Sequence, residues 1–392
     1  MTMGEFSLGL VLLSNAIWIG LLTIWGGFWK CDQRLDSASP PSPTPPSICV
    51  IIPARNEADV ISRSVRSLLQ QDYAGPCQLV VVDDHSTDDT GNIVRETAES
   101  LGQSHRVTVL QAKPLPLGWT GKLWAMEQGD RYVQSLSTQP DYLLFTDADI
   151  EHDPGNLTQL AAKAVQDDLD LVSLMVLLRC ESFWEKLLIP AFVFFFQKLY
   201  PFPLVNNPSS PIAAAAGGCI LIRRTALQEI GGLQILRQAL IDDCSLARAV
   251  KRREQKGNRP IWLGLTQTTH SLRPYESLQT IWDMVARTAY TQLNYSLLLL
   301  VGTVLGMALV YLVAPIAFMT GLLTATWELA LAGFVGWAFM SLAYLPTIQL
   351  YKLPPLWAIA LPAIAALYNL MTLDSAMRHW RGQGGAWKGR TY

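Results

Sequence analysis

The 392-residue chain has almost no net charge: 30 Lys and Arg stand against 32 Asp and Glu, a formal −2. It therefore lacks the basic excess with which a general nucleic-acid binder neutralises phosphates, and no nucleic-acid partner is expected. Cysteine is sparse at six residues, none in a C-x-x-C pair, which argues against a zinc ribbon or a redox couple. No internal repeat is present. No glycine-rich phosphate loop follows the first predicted strand, where "PARNEADV" stands instead. That absence counts against a nucleotidyltransferase built on an α/β sheet. The flank "MTMGE" has no Lys or Arg and no small-residue cleavage signature follows, so a cleaved signal peptide is not expected.

Both ends are mostly apolar. Phe6–Trp29 carries no charge and is long enough for the roughly 20 residues that cross a bilayer. Lys30 and Arg34 follow it, which places that end in the cytoplasm by the positive-inside rule. Residues 1–29 are thus expected to be a membrane anchor and 296–373 a membrane region with candidate segments Ser296–Leu323, Trp327–Ile348 and Pro354–Leu373. The first two read as full spans. The third holds Pro354, Pro355 and Pro362 and reads as a kinked span or as a re-entrant or interfacial segment. With two full spans and a re-entrant third, the basic tail 374–392 returns to the cytoplasm, as its Arg378, Arg381, Lys388 and Arg390 favour. The expected location is an inner bacterial membrane, with the charged part of the chain in the cytoplasm and its thiols free.

Residues 30–47 form a Pro/Ser linker. Beyond it, Ile48–Ile52 is a short, continuous apolar strand ended by Pro53, with Asn56 or Asp59 opening a helix. Leu79–Val82 repeats the pattern, and "RVTVLQAK" and "DYLLFTDADI" supply two more strands. Buried strands alternating with helices predict a mainly parallel sheet, a Rossmann-like α/β domain over 48–290. Ligands of such sheets bind at the carboxyl ends of the strands. Asp83-Asp84 and Asp147-Ala148-Asp149 both lie there. Two aspartates one residue apart are hard oxygen ligands suited to Mg²⁺ or Mn²⁺, which also take phosphate oxygens.

Six motifs, "VIIPARNEADVI", "VVVDDHSTDDT", "GWTGKLWAMEQG", "FTDADI", "AAGGCILIRRTALQEIGG" and "LIDDCSLARAVKR", resemble in their order those of glycosyltransferase family 2, the inverting GT-A nucleotide-sugar transferases. With "DMVARTAYTQLNYS" and the flanking apolar helices, the chain looks like the membrane subset described as hopene-associated glycosyltransferases. The resemblance implies donor contacts by Pro53, Arg55, Glu57, Asp84, Lys122, Asp147 and Arg287. It implies metal binding by Asp149 and Asp147, with His270 as a third ligand. Asp243 matches the catalytic base, and Gly217, Gly218, Asp242 and Tyr290 fall at the acceptor side. The family usually has Glu where this chain has Asp242. The processive Q-x-x-R-W element keeps Arg287 but has Met284 and Thr288 in place of its Gln and Trp, so transfer of a single sugar is expected. The expected donor is a UDP-sugar.

The acceptor is read from Phe183–Leu204, whose apolar run between Lys186 and Lys198 is too short to span. It reads as a segment lying in the membrane interface, or else as a buried core helix. An interfacial segment favours a membrane lipid, hopanoid or isoprenoid, as acceptor. A polysaccharide synthase, a nucleotidyltransferase and an inactive membrane scaffold remain the alternatives.

Overall fold

The computed structural model describes residues 3–35, 44–237, 239, 241–252, 260–382, 386–387 and 390–391. Residues 36–43 of the Pro/Ser linker, and Lys388 of the tail, lie outside them. The chain forms two compact units. One comprises Gln33–Arg179, Leu204–Pro274 and Ala386–Tyr392; the other comprises Met1–Asp32, Cys180–Pro203 and Tyr275–Gly385. The expected domain of 48–290 is therefore divided. Cys180–Pro203 and the residues from Tyr275 onward group with the apolar helices, because their large side chains pack there.

The first unit is built on eight strands: β1 (Ile48–Ala54), β2 (Cys77–Asp83), β3 (Val107–Gln111), β4 (Tyr142–Thr146), β5 (Ile150–His152), β6 (Leu171–Leu177), β7 (Cys219–Arg223) and β8 (Ile261–Ser271). Their order is β3-β2-β1-β4-β7-β6-β8-β5. β1, β2, β3 and β4 run parallel, as do β6 and β8, whereas β7 and β5 run against their neighbours. Val50, Ile51, Ile52, Val81 and Leu144 have no exposed surface, which is why these strands read as continuous apolar runs.

Two local expectations change. β1 continues through Pro53, since beyond Ile51 it pairs only with β2 and the side left by β4 needs no N–H there. The following helix starts at Ile61, not at Asn56 or Asp59. Asn56 takes a left-handed φ of 50° and ties two loops together. Its N–H donates to the Ser86 hydroxyl and its Oδ1 accepts from Thr87 N–H at 2.8 Å.

Among the described residues, the second unit holds four helices long and apolar enough to cross a membrane: Glu5–Thr23, Leu297–Leu323, Trp327–Leu350 and Pro355–Trp380. Small residues let them approach closely. A Cβ added at Gly333 would lie 2.3 Å from the Phe318 nitrogen, and one at Gly336 would lie 2.3 Å from Asn15 Oδ1, the kind of contact that holds helices together where no hydrophobic drive exists. Phe183–Leu199 is one helix, opened by a Ser182/Glu185 capping box. Phe194 packs on Phe28 and Tyr344, while Phe183 and Leu199 are about half exposed, at 60% and 49%. Every residue between these two ends is buried or partly buried, so this is a packed helix that exposes apolar side chains only at its ends.

The last apolar segment doubles back. Ile359 accepts a hydrogen bond from Trp337 Nε1, a residue about 20 Å along its helix from Leu350 at 1.5 Å per residue. From there Leu361–Trp380 returns: Asn369 donates to the Val304 carbonyl, Ser375 accepts from Tyr290 N–H, and Arg378 pairs with Asp283. Its carboxyl end thus meets the amino end of Leu297–Leu323. Although long enough to cross, Pro355–Trp380 enters and leaves on one side within this unit. In a membrane, cysteines at Lys30→Cys and Arg381→Cys should therefore label from the same face. Labelling from opposite faces by an impermeant reagent would make the segment a full crossing.

Candidate active site

The carboxyl ends of β1, β2 and β4 and the amino end of β7 share one edge of the sheet, with Thr146 opposite Cys219 in register. The acidic groups gather there, and each has a cation beside it. Asp147, one residue past β4, accepts from Lys122 Nζ at 2.6 Å. Lys122 projects from the first turn of the helix Gly121–Gln134, whose N-cap Thr120 accepts from Leu123 N–H. Despite burial, the charges of Asp147, Asp242 and Asp243 raise the Lys122 pKa above the ordinary lysine value. Asp149 is 6% exposed and accepts from Arg273 Nε at 2.8 Å, while Arg273 Nη2 reaches both oxygens of Glu57. Asp84, 1% exposed, lies 3.8 Å from Arg55 Nη1, which also donates to its carbonyl. A carboxylate held out of water is tolerable under such pairing.

Asp243 lies in the first turn of the helix Asp242–Lys251. Its Oδ2 accepts from Gly217 N–H at 2.9 Å and its Oδ1 from Cys244 N–H at 2.7 Å. Burial and then the charge of Asp242 push its pKa up to about 6; Cys244 N–H, Lys122 and Gly217 N–H work in the opposite direction. A Cβ at Gly217 would sit 3.3 Å from Asp243 Oδ2 and 3.5 Å from Lys122 Nζ, so a side chain there would crowd the base against the lysine. Pro53, Lys122, Asp147, Gly217, Asp242 and Asp243 line one cavity.

The fold brings together Pro53, Lys122, Asp147, Gly217, Asp242 and Asp243, and places Arg55, Glu57, Asp84 and Asp149 in paired positions on the same edge. Gly218 ends the loop that leads into β7. His270 does not join the aspartates. It lies opposite Glu151 in the β5–β8 ladder, 3.8 Å from Asp153, and among the described residues no group of three His, Cys, Asp or Glu is arranged around a metal position. Arg287 and Tyr290 belong to the membrane unit. Arg287 caps the helix Leu278–Ala286; the Tyr290 hydroxyl is committed to the Tyr295 carbonyl at 2.7 Å and its ring packs on Tyr295, His379 and Trp380.

Arg273 is the residue that sequence reading missed. It stands alone in "HSLRPY", and only the fold carries it to Glu57 and Asp149. Arg273→Met leaves both carboxylates short of their cation in partly buried positions. It should cost about 2 kcal/mol of stability, measured by denaturant unfolding of the solubilised protein; unchanged stability would mean that water serves these acids equally well.

The mixed, mostly parallel sheet with acids, a lysine and a glycine loop on one edge has the Rossmann-like GT-A fold. A mannosyltransferase from Pyrobaculum calidifontis, solved with GDP-Man and Mn²⁺, superposes at a TM-score of 0.52 over 95% of this chain and 99% of its own, at 17% identity. Residues 49–231 match the model of glycosyl transferase family 2. A 4,4'-diaponeurosporenoate glycosyltransferase from Staphylococcus haemolyticus (strain JCSC1435) is 38% identical over 108 residues, 28% of this chain and 25% of its own. The succinoglycan biosynthesis protein ExoU of Rhizobium meliloti (strain 1021) is 41% identical over 59 residues, 15% and 17% of the two chains. The chain thus spans a quarter or less of the length of these curated relatives.

Proposed function

We propose that the protein is a membrane-bound inverting glycosyltransferase that moves one sugar from a nucleotide-diphosphate sugar to a hydroxyl of a membrane lipid. The observation that carries this reading is the single cavity shared by Lys122, Asp147 and Asp243. Lys122 suits a diphosphate directly, Asp147 suits one through a divalent cation, and Asp243 suits an acceptor proton. Asp243 accepts that proton as the hydroxyl attacks the anomeric carbon; a base with a pKa of about 6 is charged at neutral pH yet basic enough to act. Lys122 lies where negative charge grows on the departing diphosphate. Asp84, with Arg55, is assigned to the nucleotide.

A divalent cation fits this edge. Asp147 offers a hard, one-third exposed carboxylate. With few protein ligands nearby, most of the shell would come from the donor's phosphates and water. Asp147 and Asp149 would hold Mn²⁺ or Mg²⁺, which would offset diphosphate charge. Arg273 keeps the Asp149 carboxylate oriented.

The lipid acceptor rests on the apolar helix Phe183–Leu199, which exposes Phe183 and Leu199 at its ends, and on the membrane helices, together with the name of the Staphylococcus haemolyticus relative. A hopanoid or other isoprenoid alcohol is the favoured class, and a UDP-sugar the favoured donor, with a GDP-sugar as comparator because the Pyrobaculum structure holds GDP-Man. The catalytic unit is assigned to the cytoplasm of a bacterium, where nucleotide sugars are made. Purified protein incubated with Mn²⁺, labelled UDP- or GDP-sugars and bacterial lipid extract should transfer label to the organic phase, and chelation should stop it. Label appearing only in water-soluble polymer would assign the protein to polysaccharide synthesis.

A further inference from the structure

A buried chain of polar side chains runs behind the site. Thr269, Asn156, His152 and Thr146 are each 2% exposed or less, and none is needed to close a backbone ladder. Thr269 Oγ1 donates to Asn156 Oδ1 at 3.0 Å. That leaves Asn156 Nδ2, which can only donate, against His152 Nδ1 at 2.8 Å. Nδ1 is therefore an acceptor and the ring proton sits on Nε2. Nε2–H then donates to Thr146 Oγ1 at 3.1 Å, and the Thr146 hydroxyl donates to the Gly218 carbonyl at 2.8 Å. Every bond has one direction. Burial lowers the His152 pKa to about 3, with His270 adding to the shift, so the ring is neutral across the working pH range. The His152 backbone N–H donates to Ser67 Oγ at 3.1 Å.

We propose that His152, acting through Thr146, is a positioning residue that sets the distance between the donor-side turn and the loop that holds the catalytic base. The two ends of the chain show why. Thr146 immediately precedes Asp147, the partner of Lys122. Gly218 immediately follows Gly217, whose N–H is bonded to Asp243. One hydroxyl therefore joins β4, which carries the donor-side acid, to the residue before β7, which carries the partner of the base. Strand pairing alone links Thr146 to Cys219; the Thr146 hydroxyl adds a bond one residue nearer the base. A slip at this point would loosen Gly217 N–H from Asp243 and remove one of the contacts that favour its charged form.

The assignment of function to the two ends rests on the transferase reading above, whereas the bonding does not. The test uses the full-length protein and two substitutions at Thr146. Thr146→Val keeps the β-branched shape but leaves Nε2–H and the Gly218 carbonyl unpaired; Thr146→Ser keeps the hydroxyl. Per folded molecule, T146V should lose about tenfold in kcat, the scale of one lost positioning hydrogen bond. Its acid limb in kcat/KM should also move to higher pH, and T146S should recover most of both. Nitrogen-15 spectra of histidine-labelled protein should show one ring as the neutral Nε2–H tautomer, with that resonance displaced in T146V. Absence of such a tautomer, or a T146V protein that is only less stable while its kcat and acid limb match wild type, overturns the proposal. If Asp243→Asn keeps full turnover, the base assignment fails on its own; the relay then stands or falls on the tautomer and on kcat.

Discussion

Asp243→Asn is expected to lower kcat about 10³-fold while leaving donor affinity within a few-fold of wild type. The size follows from what a positioned general base contributes, typically 10²–10⁴. The selectivity follows from when it acts: the proton moves as the acceptor attacks, so the loss falls on the transition state rather than on donor binding. Asparagine keeps the shape, and its single carbonyl oxygen can still accept from Gly217 N–H or from Cys244 N–H, which bond to different oxygens of Asp243, so the helix start should survive with one contact fewer. In the wild type the working form is the carboxylate. Its pKa is raised to about 6, so kcat/KM should fall as pH drops through that value and level off above it. Initial rates and nucleotide-sugar binding, measured on the same preparation across pH, check both points. Equal losses in rate and affinity would make Asp243 a structural cap, because Asp243 also sits in the first turn of a helix, where acids are favoured in any case.

Much of this site was legible in the sequence because its parts are local. A strand that ends in acid after several apolar residues, as at Phe145–Asp149, must place that acid at the sheet edge. Asp243 sits in a motif readable over a dozen residues. What the sequence did not show are the partners that come from far along the chain. Asp149 was read as a metal ligand from its spacing, yet its neighbour is Arg273, 124 residues away. The family resemblance groups His270 with the aspartates, whereas the β5–β8 register sets it opposite Glu151 and 3.8 Å from Asp153. The mixed direction of the sheet was invisible for a related reason: a buried antiparallel strand such as β7 has the same continuous apolar pattern as a parallel one. Periodicity likewise could not choose between an interfacial and a packed helix for Phe183–Leu199, which the structure shows packed along its length with exposed apolar residues only at its ends.

Lys122→Met should produce the second large loss, and one with a distinct pH signature. Lys122 is the cation shared by three carboxylates, Asp147 at 2.6 Å and the charges of Asp242 and Asp243. Removing it has two consequences that add. The departing diphosphate loses a positive group on which its charge can develop, a loss of about 10²–10³ in kcat by comparison with other such donors. Asp243 also loses one of the influences that lower its pKa. With burial and Asp242 left to act, its pKa rises from about 6, and less of the base is charged at neutral pH. The sign is therefore fixed: the acid limb moves up, and raising the pH should recover the part of the loss that came from protonation while leaving the part due to the diphosphate. Lys122→Arg restores charge but not the compact geometry between Asp147 and Gly217, so it should correct the pH limb more fully than kcat. A Lys122→Met protein whose pH profile overlays that of the wild type would show that the lysine and the base are not electrostatically linked, and would return Lys122 to the role of a simple partner for Asp147.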